Sequence, residues 1–260
     1  MTSDESGETL VQPGVFIDRG VLIDLFQFWD ACKAVGASGR LHELTGWNDL
    51  KALLDSAGVD TDGTKQRSAM NRGMNAFRGL ISSFRSHRLY SSRVCWSELH
   101  HTLLEARALE ALVVQGVPQS LRAKRPQMMY RVALQESDYD ELNAQFDTFR
   151  DSLNLDYGID VIDVEDPARR LSVTPGDIWE GAREVWSQVL MDVLDAYVCA
   201  AALLVEAKIL LSDDPVLRYA LELLNDPGRD WTLLREALGL APDAAFPTPH
   251  TPRYAPPADP

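Results

Sequence analysis

Four acidic residues stand where predicted strands end or helices begin, and together they could bind a metal ion. Asp18 follows a short apolar run, and Asp214 closes another. Glu98 and Asp195 each lie in the first turns of a segment with helical spacing. In α/β proteins the carboxyl ends of parallel strands and the starts of the following helices meet at one edge of the sheet. We therefore expect these four side chains to converge in one cleft.

The electrostatic cost of this convergence indicates which chemistry the acids perform. Two unit charges about 4 Å apart repel by about 4 kcal/mol at an effective dielectric constant near 20. Carboxylates in one cleft therefore take up protons or move apart unless a cation neutralises them. Mg²⁺ and Mn²⁺ prefer oxygen ligands and keep several waters. Such an ion lowers the pKa of a water molecule and stabilises a leaving oxygen, which predicts hydrolysis of a phosphodiester.

Two of the acids also have simpler structural interpretations. Asp195 fits a capping box, in which Asp192 is the N-cap and Asp195 is the third helical residue. Asp213 is the alternative to Asp214, because successive strand residues point to opposite faces and only one of the two is expected to face inward. We expect Asp195 and Asp214 to face the cleft, with Asp192 and Asp213 supporting it.

The elements that must position these acids alternate between strand and helix. This alternation predicts an α/β fold, a three-layer sandwich with a central, mostly parallel sheet flanked by helices. Residues 1–13 are expected to be a flexible leader, and the proline-rich residues 241–260 a disordered tail. The predicted strands are 14–17, 88–92, 159–164 and 208–212, and the predicted helices are 21–34, 67–86, one from 94, 138–153, two from 175 and 192, 216–224 and 231–238.

The segments around the four acids resemble the PIN-domain nuclease family. VFIDRGVLIDLF at 15–26 is similar to that family's opening strand, aspartate and helix. LYSSRVCWSELHHTL at 89–103 is similar to its strand leading into a helix with a Ser-Glu-Leu glutamate. LDAYVCAAAL at 194–203, followed by KILLSDDPVL at 208–217, resembles its Asp-Ala helix and its closing Thr-x-Asp strand end.

The resemblance implies a PIN-like fold over 14–240, with a helical insertion at about 40–86, and an endoribonuclease that leaves 5′-phosphate and 3′-hydroxyl ends. It implies that Ser212 takes the threonine place and orients the site by hydrogen bonding. The catalytic residues and ligands of Mg²⁺ or Mn²⁺ that it implies are Asp18, Glu98, Asp195 and Asp214.

Arg19 departs from the family pattern, which has small hydroxyl residues after the first aspartate. Its guanidinium either pairs with a carboxylate of the cluster or reaches a phosphate. If it neutralises the cluster in place of a metal, the chain is a catalytically inactive PIN-like module that binds nucleic acid or protein. A third hypothesis is the toxin component of a toxin–antitoxin pair, with an antitoxin-like partner. A homodimer also stays open.

The charge distribution points to a nucleic-acid partner despite a net charge of −14. Residues 63–97 contain seven bases and no acid. A run of one sign beside an acidic site fits contact with a phosphate backbone, single-stranded RNA above all. The predicted contacts are Arg19, Arg67, Arg78, Arg85 and Arg93.

Other classes of protein fit the sequence poorly. The longest apolar run, 196–205, is about half of the ~20 residues that a membrane-spanning helix needs. The acidic, polar start of the chain is unlike a secretory signal. Three scattered cysteines, Cys32, Cys95 and Cys199, make neither a disulfide framework nor a zinc site. We therefore expect a protein of the reducing cytoplasm.

Overall fold

Five short parallel strands form the centre of the structure, a computed structural model that describes residues 14–44, 46–58, 64–118, 120, 134–169, 171 and 173–251. The order across the sheet is β3-β2-β1-β4-β5, and every neighbouring pair is parallel. The strands are β1 Gly14–Ile17, β2 Arg88–Ser91, β3 Val161–Asp163, β4 Ala207–Leu211 and β5 Thr248–His250.

Helices cover the sheet, which confirms the predicted α/β fold class. Short 3₁₀ helices also occur at Ser38–Glu43 and Pro167–Arg169. In the part of the chain that is described, the α-helices are α1 Arg19–Ala34, α2 Trp47–Ser56, α3 Thr64–Ile81, α4 Arg93–Val114, α5 Glu136–Leu155, α6 Pro175–Gln188, α7 Val193–Leu204, α8 Pro215–Leu224 and α9 Thr232–Ala237.

The central strand β1 decides where a ligand site can form. Its residues are fully buried, as expected for a strand covered on both faces. The chain continues from β1 to β2 on one side, whereas β4 lies on the other side. The strand order therefore reverses between β1 and β4, and α/β sheets bind ligands beyond the carboxyl ends of strands at such a point.

Helix α3 packs very closely against α1 because Gly73 lacks a side chain. A Cβ atom at this position would lie 2.1 Å from the backbone oxygen of Asp24. The helix ends at Ile81 rather than at the predicted 86, and residues 82–86 form turns. Met74, Phe77 and Phe84 are buried as their spacing predicts. The predicted helical insertion at 40–86 contains α2 and α3.

The structure describes residues 241–251 of the predicted disordered tail, and three of them form a strand of the sheet. Residues Thr248–His250 form β5 beside β4, and the backbone N–H of Ser212 donates to the His250 carbonyl at 3.1 Å. Phe246 is buried, and Asn225 donates its side-chain amide to the Pro247 carbonyl. Composition did not reveal this strand because a three-residue edge strand tolerates proline and needs no periodicity. Residues 1–13 and 252–260 lie outside the described residues.

None of the described helices has, by itself, the length and apolar composition of a membrane span. Helices α6 and α7 pass that test only together, across a bend of 116°.

Candidate functional site

Asp18 is the buried centre of the candidate site. It follows β1 and is the N-cap of α1, where its Oδ1 accepts from the Arg19 backbone N–H at 2.6 Å. Its Oδ2 accepts from the Ser212 hydroxyl at 2.7 Å. Only 2% of the residue is exposed, and this burial raises the pKa of Asp18 to about 6, although both hydrogen bonds and the Arg19 charge oppose the rise.

Ser212 joins the two ends of the predicted site. It directly follows β4 and is fully buried. Its hydroxyl donates to Asp18 and accepts from the Asp214 backbone N–H at 3.0 Å. The hydroxyl therefore fixes the orientation of the Asp18 carboxylate relative to the start of α8.

Asp213 and Asp214 both adjoin the cluster, unlike the expectation that only one of them would face inward. Asp214 caps α8 by accepting from Val216 N–H at 2.7 Å, and its charge raises the pKa of Asp195. Asp213 faces α1, because a Cβ atom on Gly20 would lie 2.3 Å from its Oδ1. The rule of alternating faces does not apply because β4 ends at Leu211, before either residue.

Asp195 lies on α7 and faces the same cleft. It is 6% exposed, and burial together with the Asp214 charge raises the pKa of its carboxyl to about 6, partly offset by Arg19. Asp192 is the N-cap of α7, as predicted, and accepts from the Leu194 backbone N–H at 2.9 Å. Asp195 itself lies 3.9 Å from the Arg19 guanidinium.

Glu98 reaches the cluster from α4 and pairs with Arg19. The Arg19 Nη1 atom donates to Glu98 Oε1 at 2.5 Å, and Arg19 is 33% exposed at its side chain. The other carboxylate oxygen, Glu98 Oε2, is buried and has no hydrogen-bond partner in the part of the chain that the structure describes. Of the two roles open to Arg19, the structure shows the first, pairing with carboxylates of the cluster.

The cluster holds more negative charge than its arginines neutralise. Its five carboxylates are those of Asp18, Glu98, Asp195, Asp213 and Asp214. Among the described residues the facing cations are Arg19 and Arg72, and Arg72 is shared with a sixth acid, Asp24. Burial is the main reason that the pKa of Asp18 and of Asp195 rises to about 6, and neighbouring carboxylates add to the rise.

The donor chemistry of the cluster fits a hard divalent cation. All donors are carboxylate oxygens, and one of them, Glu98 Oε2, is buried without a partner. Within the described residues, however, no three His, Cys, Asp or Glu side chains are gathered closely enough to hold a metal ion. The Arg19 guanidinium lies beside two of these acids, 2.5 Å from Glu98 and 3.9 Å from Asp195.

Two acids that support the site through hydrogen bonds or an ion pair were missed in the sequence. Glu165, 8% exposed, accepts from the Arg93 backbone N–H and the Tyr197 hydroxyl, so it joins the starts of α4 and α7. Asp24 binds Arg72 through both oxygens, at 2.6 and 2.8 Å. An acid directly after the β3 pattern and an acid inside the apolar face of α1 were the available signals.

The predicted basic residues do not form one surface. Arg93 begins α4 at the same edge of the sheet as the cluster, 3.8 Å from Asp163, and 61% of its side chain is exposed. Arg85 lies in the turn before β2, close to the opposite edge. Arg78 lies in the last turn of α3. The side chain of Arg67, near the start of α3, lies outside the described residues.

Comparisons with family models, curated proteins and solved structures gave no match to this chain.

Proposed function

We propose that the chain is a divalent-metal-dependent phosphodiester hydrolase, an endoribonuclease with a PIN-like site. The observation that carries the proposal is the meeting of carboxylates from four separate segments at the point where the strand order reverses. Among the described residues the cluster places five carboxylates against the guanidinium groups of Arg19 and Arg72, which leaves it short of positive charge. A dication would supply that charge.

The residues of the cluster divide into ligands and supports. Ser212 orients Asp18, and Arg72 holds Asp213 toward α1 at 3.5 Å. When bound, the ion would supply an activated water and charge stabilisation at the phosphorus. The ligands that we propose for Mg²⁺ or Mn²⁺ are Asp18, Glu98, Asp195 and Asp214.

Single-stranded RNA is the substrate that we propose. The net charge of −14 disfavours general affinity for nucleic acid, so binding depends on local positive charge. Arg93 begins α4 at the cluster's edge of the sheet and 61% of its side chain is exposed, so we propose that it contacts a phosphate. Arg85 lies toward the opposite edge of the sheet and is therefore left out of this proposed contact.

Metal removal tests this proposal. Single-stranded RNA incubated with the full chain and Mn²⁺ is expected to be cut, leaving 5′-phosphate and 3′-hydroxyl ends. Excess EDTA is expected to stop the reaction, and renewed Mn²⁺ to restart it. The readout is gel analysis of end-labelled RNA. Cleavage that continues in EDTA, or that leaves 2′,3′-cyclic phosphates, contradicts the proposal.

The Arg19–Glu98 ion pair favours a second candidate, an inactive PIN-like module that binds nucleic acid. In this case Arg19 is the permanent counter-charge of the cluster. If the full chain binds single-stranded RNA but does not cleave it at any Mn²⁺ concentration, the result favours this module over the hydrolase.

A further inference from the structure

We infer that Arg19 is a resident cation which an incoming divalent ion must displace, so that Arg19 and the ion are alternative partners of Glu98. The identity of the incoming ion rests on the proposed function. The exclusion itself rests on the geometry of Arg19.

Arg19 contacts three acids of the cluster. Its backbone N–H donates to Asp18, and its guanidinium donates to Glu98. The second guanidinium nitrogen lies 3.9 Å from Asp195. As the first residue of α1, Arg19 has a backbone fixed by the Asp18 cap, so only its side chain is free to move.

Simultaneous occupancy is excluded by distance and charge. The Arg19 nitrogen lies 2.5 Å from Glu98 Oε1, and Mg²⁺ binds carboxylate oxygens at about 2.0–2.1 Å. An ion bound by both Glu98 and Asp195 would take the place of the guanidinium, which lies 2.5 Å from Glu98 Oε1 and 3.9 Å from Asp195 Oδ1. The two positive charges would also repel each other at such short range.

Displacement of Arg19 is feasible because Arg19 donates to only one of the two carboxylate oxygens of Glu98. While Arg19 binds Oε1, no described residue hydrogen-bonds to the buried Glu98 Oε2, so the pair leaves that oxygen unsatisfied. A third of the Arg19 side chain is exposed, which gives the guanidinium a route into solvent. A dication can engage both oxygens and brings twice the charge of the arginine.

Three variants of the full chain test the exchange. Arg19→Gln removes the charge, whereas Arg19→Lys keeps it but loses the two-pronged donor geometry. The matched control is Arg107→Gln, since Arg107 pairs with Asp138 and Glu141, which are not members of the cluster. Mn²⁺ binding is measured by calorimetry, and thermal unfolding is measured in EDTA and in Mn²⁺.

Mn²⁺ is expected to bind most weakly to the wild type, more tightly to Arg19→Lys and most tightly to Arg19→Gln. The affinity of Arg19→Gln is expected to exceed that of the wild type by at least about tenfold. Arg107→Gln is expected to match the wild type. In EDTA, Arg19→Gln is expected to melt below the wild type, and to gain more from Mn²⁺. If Arg19→Gln does not fold in EDTA, the test uses Arg19→Lys. An Mn²⁺ affinity of Arg19→Lys equal to that of the wild type overturns the exchange.

The outcomes separate this inference from the proposed function. If the wild type and both Arg19 variants bind Mn²⁺ equally, the exchange is overturned and the hydrolase stands. If only the variants bind Mn²⁺, the exchange is supported and the hydrolase is overturned for the natural chain. If folded variants and wild type all fail to bind, both are overturned.

Discussion

Asp18→Asn is expected to lower Mn²⁺-dependent cleavage of RNA by about a thousandfold. Asp18 is the carboxylate at the centre of the cluster, and an amide is a much weaker ligand for a hard cation. Loss of the ion removes about 4 kcal/mol of transition-state stabilisation, which corresponds to about three powers of ten in rate. Initial rates on end-labelled RNA measure the effect.

The fold is expected to survive this substitution. The asparagine side-chain oxygen can still accept from the Arg19 N–H. The asparagine amide can donate to the Ser212 hydroxyl oxygen, which already accepts from the Asp214 backbone N–H. Asp151→Asn, at an exposed position of α5, is the matched control and is expected to keep full activity. Full activity in folded Asp18→Asn would remove Asp18 from the proposed ligands.

Without metal, the contribution of Asp18 to the free energy of unfolding is expected to fall as the pH rises toward neutrality. Burial raises the pKa of Asp18 from 3.8 to about 6. The folded protein therefore holds this proton more tightly than the unfolded chain does. The resulting stabilisation is complete below pH 3.8 and is lost as the pH rises to about 6. The loss amounts to about 3 kcal/mol for a rise of this size.

Asp18→Asn is expected to abolish this part of the pH dependence. The free energy of unfolding of the variant, minus that of the wild type, is expected to increase by about 3 kcal/mol between about pH 4 and pH 7. Denaturation by urea in EDTA measures both values, and histidine titration cancels in the difference. Asp151→Asn is the control, with a flat difference expected. A flat difference for Asp18→Asn would show that the Asp18 carboxyl titrates normally in the folded protein.

Local signals in the sequence predicted most of the fold. Apolar runs located β1 and β4, alternation located β3, and the short segment 88–92 was predicted as the strand observed as β2. The caps at Asp192 and Thr174 begin helices where they were expected. These features depend on residues within a few positions of each other. Strand β5 was missed because it is fixed by pairing with β4 and not by its own composition.

The candidate site could be predicted only as a set of acids. Its ion pairs join residues that are far apart in the chain: Arg19 and Glu98 are separated by 79 positions, and Arg72 and Asp24 by 48. No local pattern shows which arginine meets which carboxylate. The sequence therefore left open whether Arg19 binds an acid or a phosphate, and the packing of α1 against α4 places it beside Glu98.

Crystals of the full chain soaked in Mn²⁺, with anomalous scattering recorded near the manganese edge, would locate the ion. We expect a single strong peak within coordination distance of Asp18 and at least two carboxylates from among Glu98, Asp195 and Asp214. In the electron-density map of the same crystal, the Arg19 side chain is expected to lie away from Glu98. A map without a peak at saturating Mn²⁺, with Arg19 still bound to Glu98, would contradict a metal-dependent site.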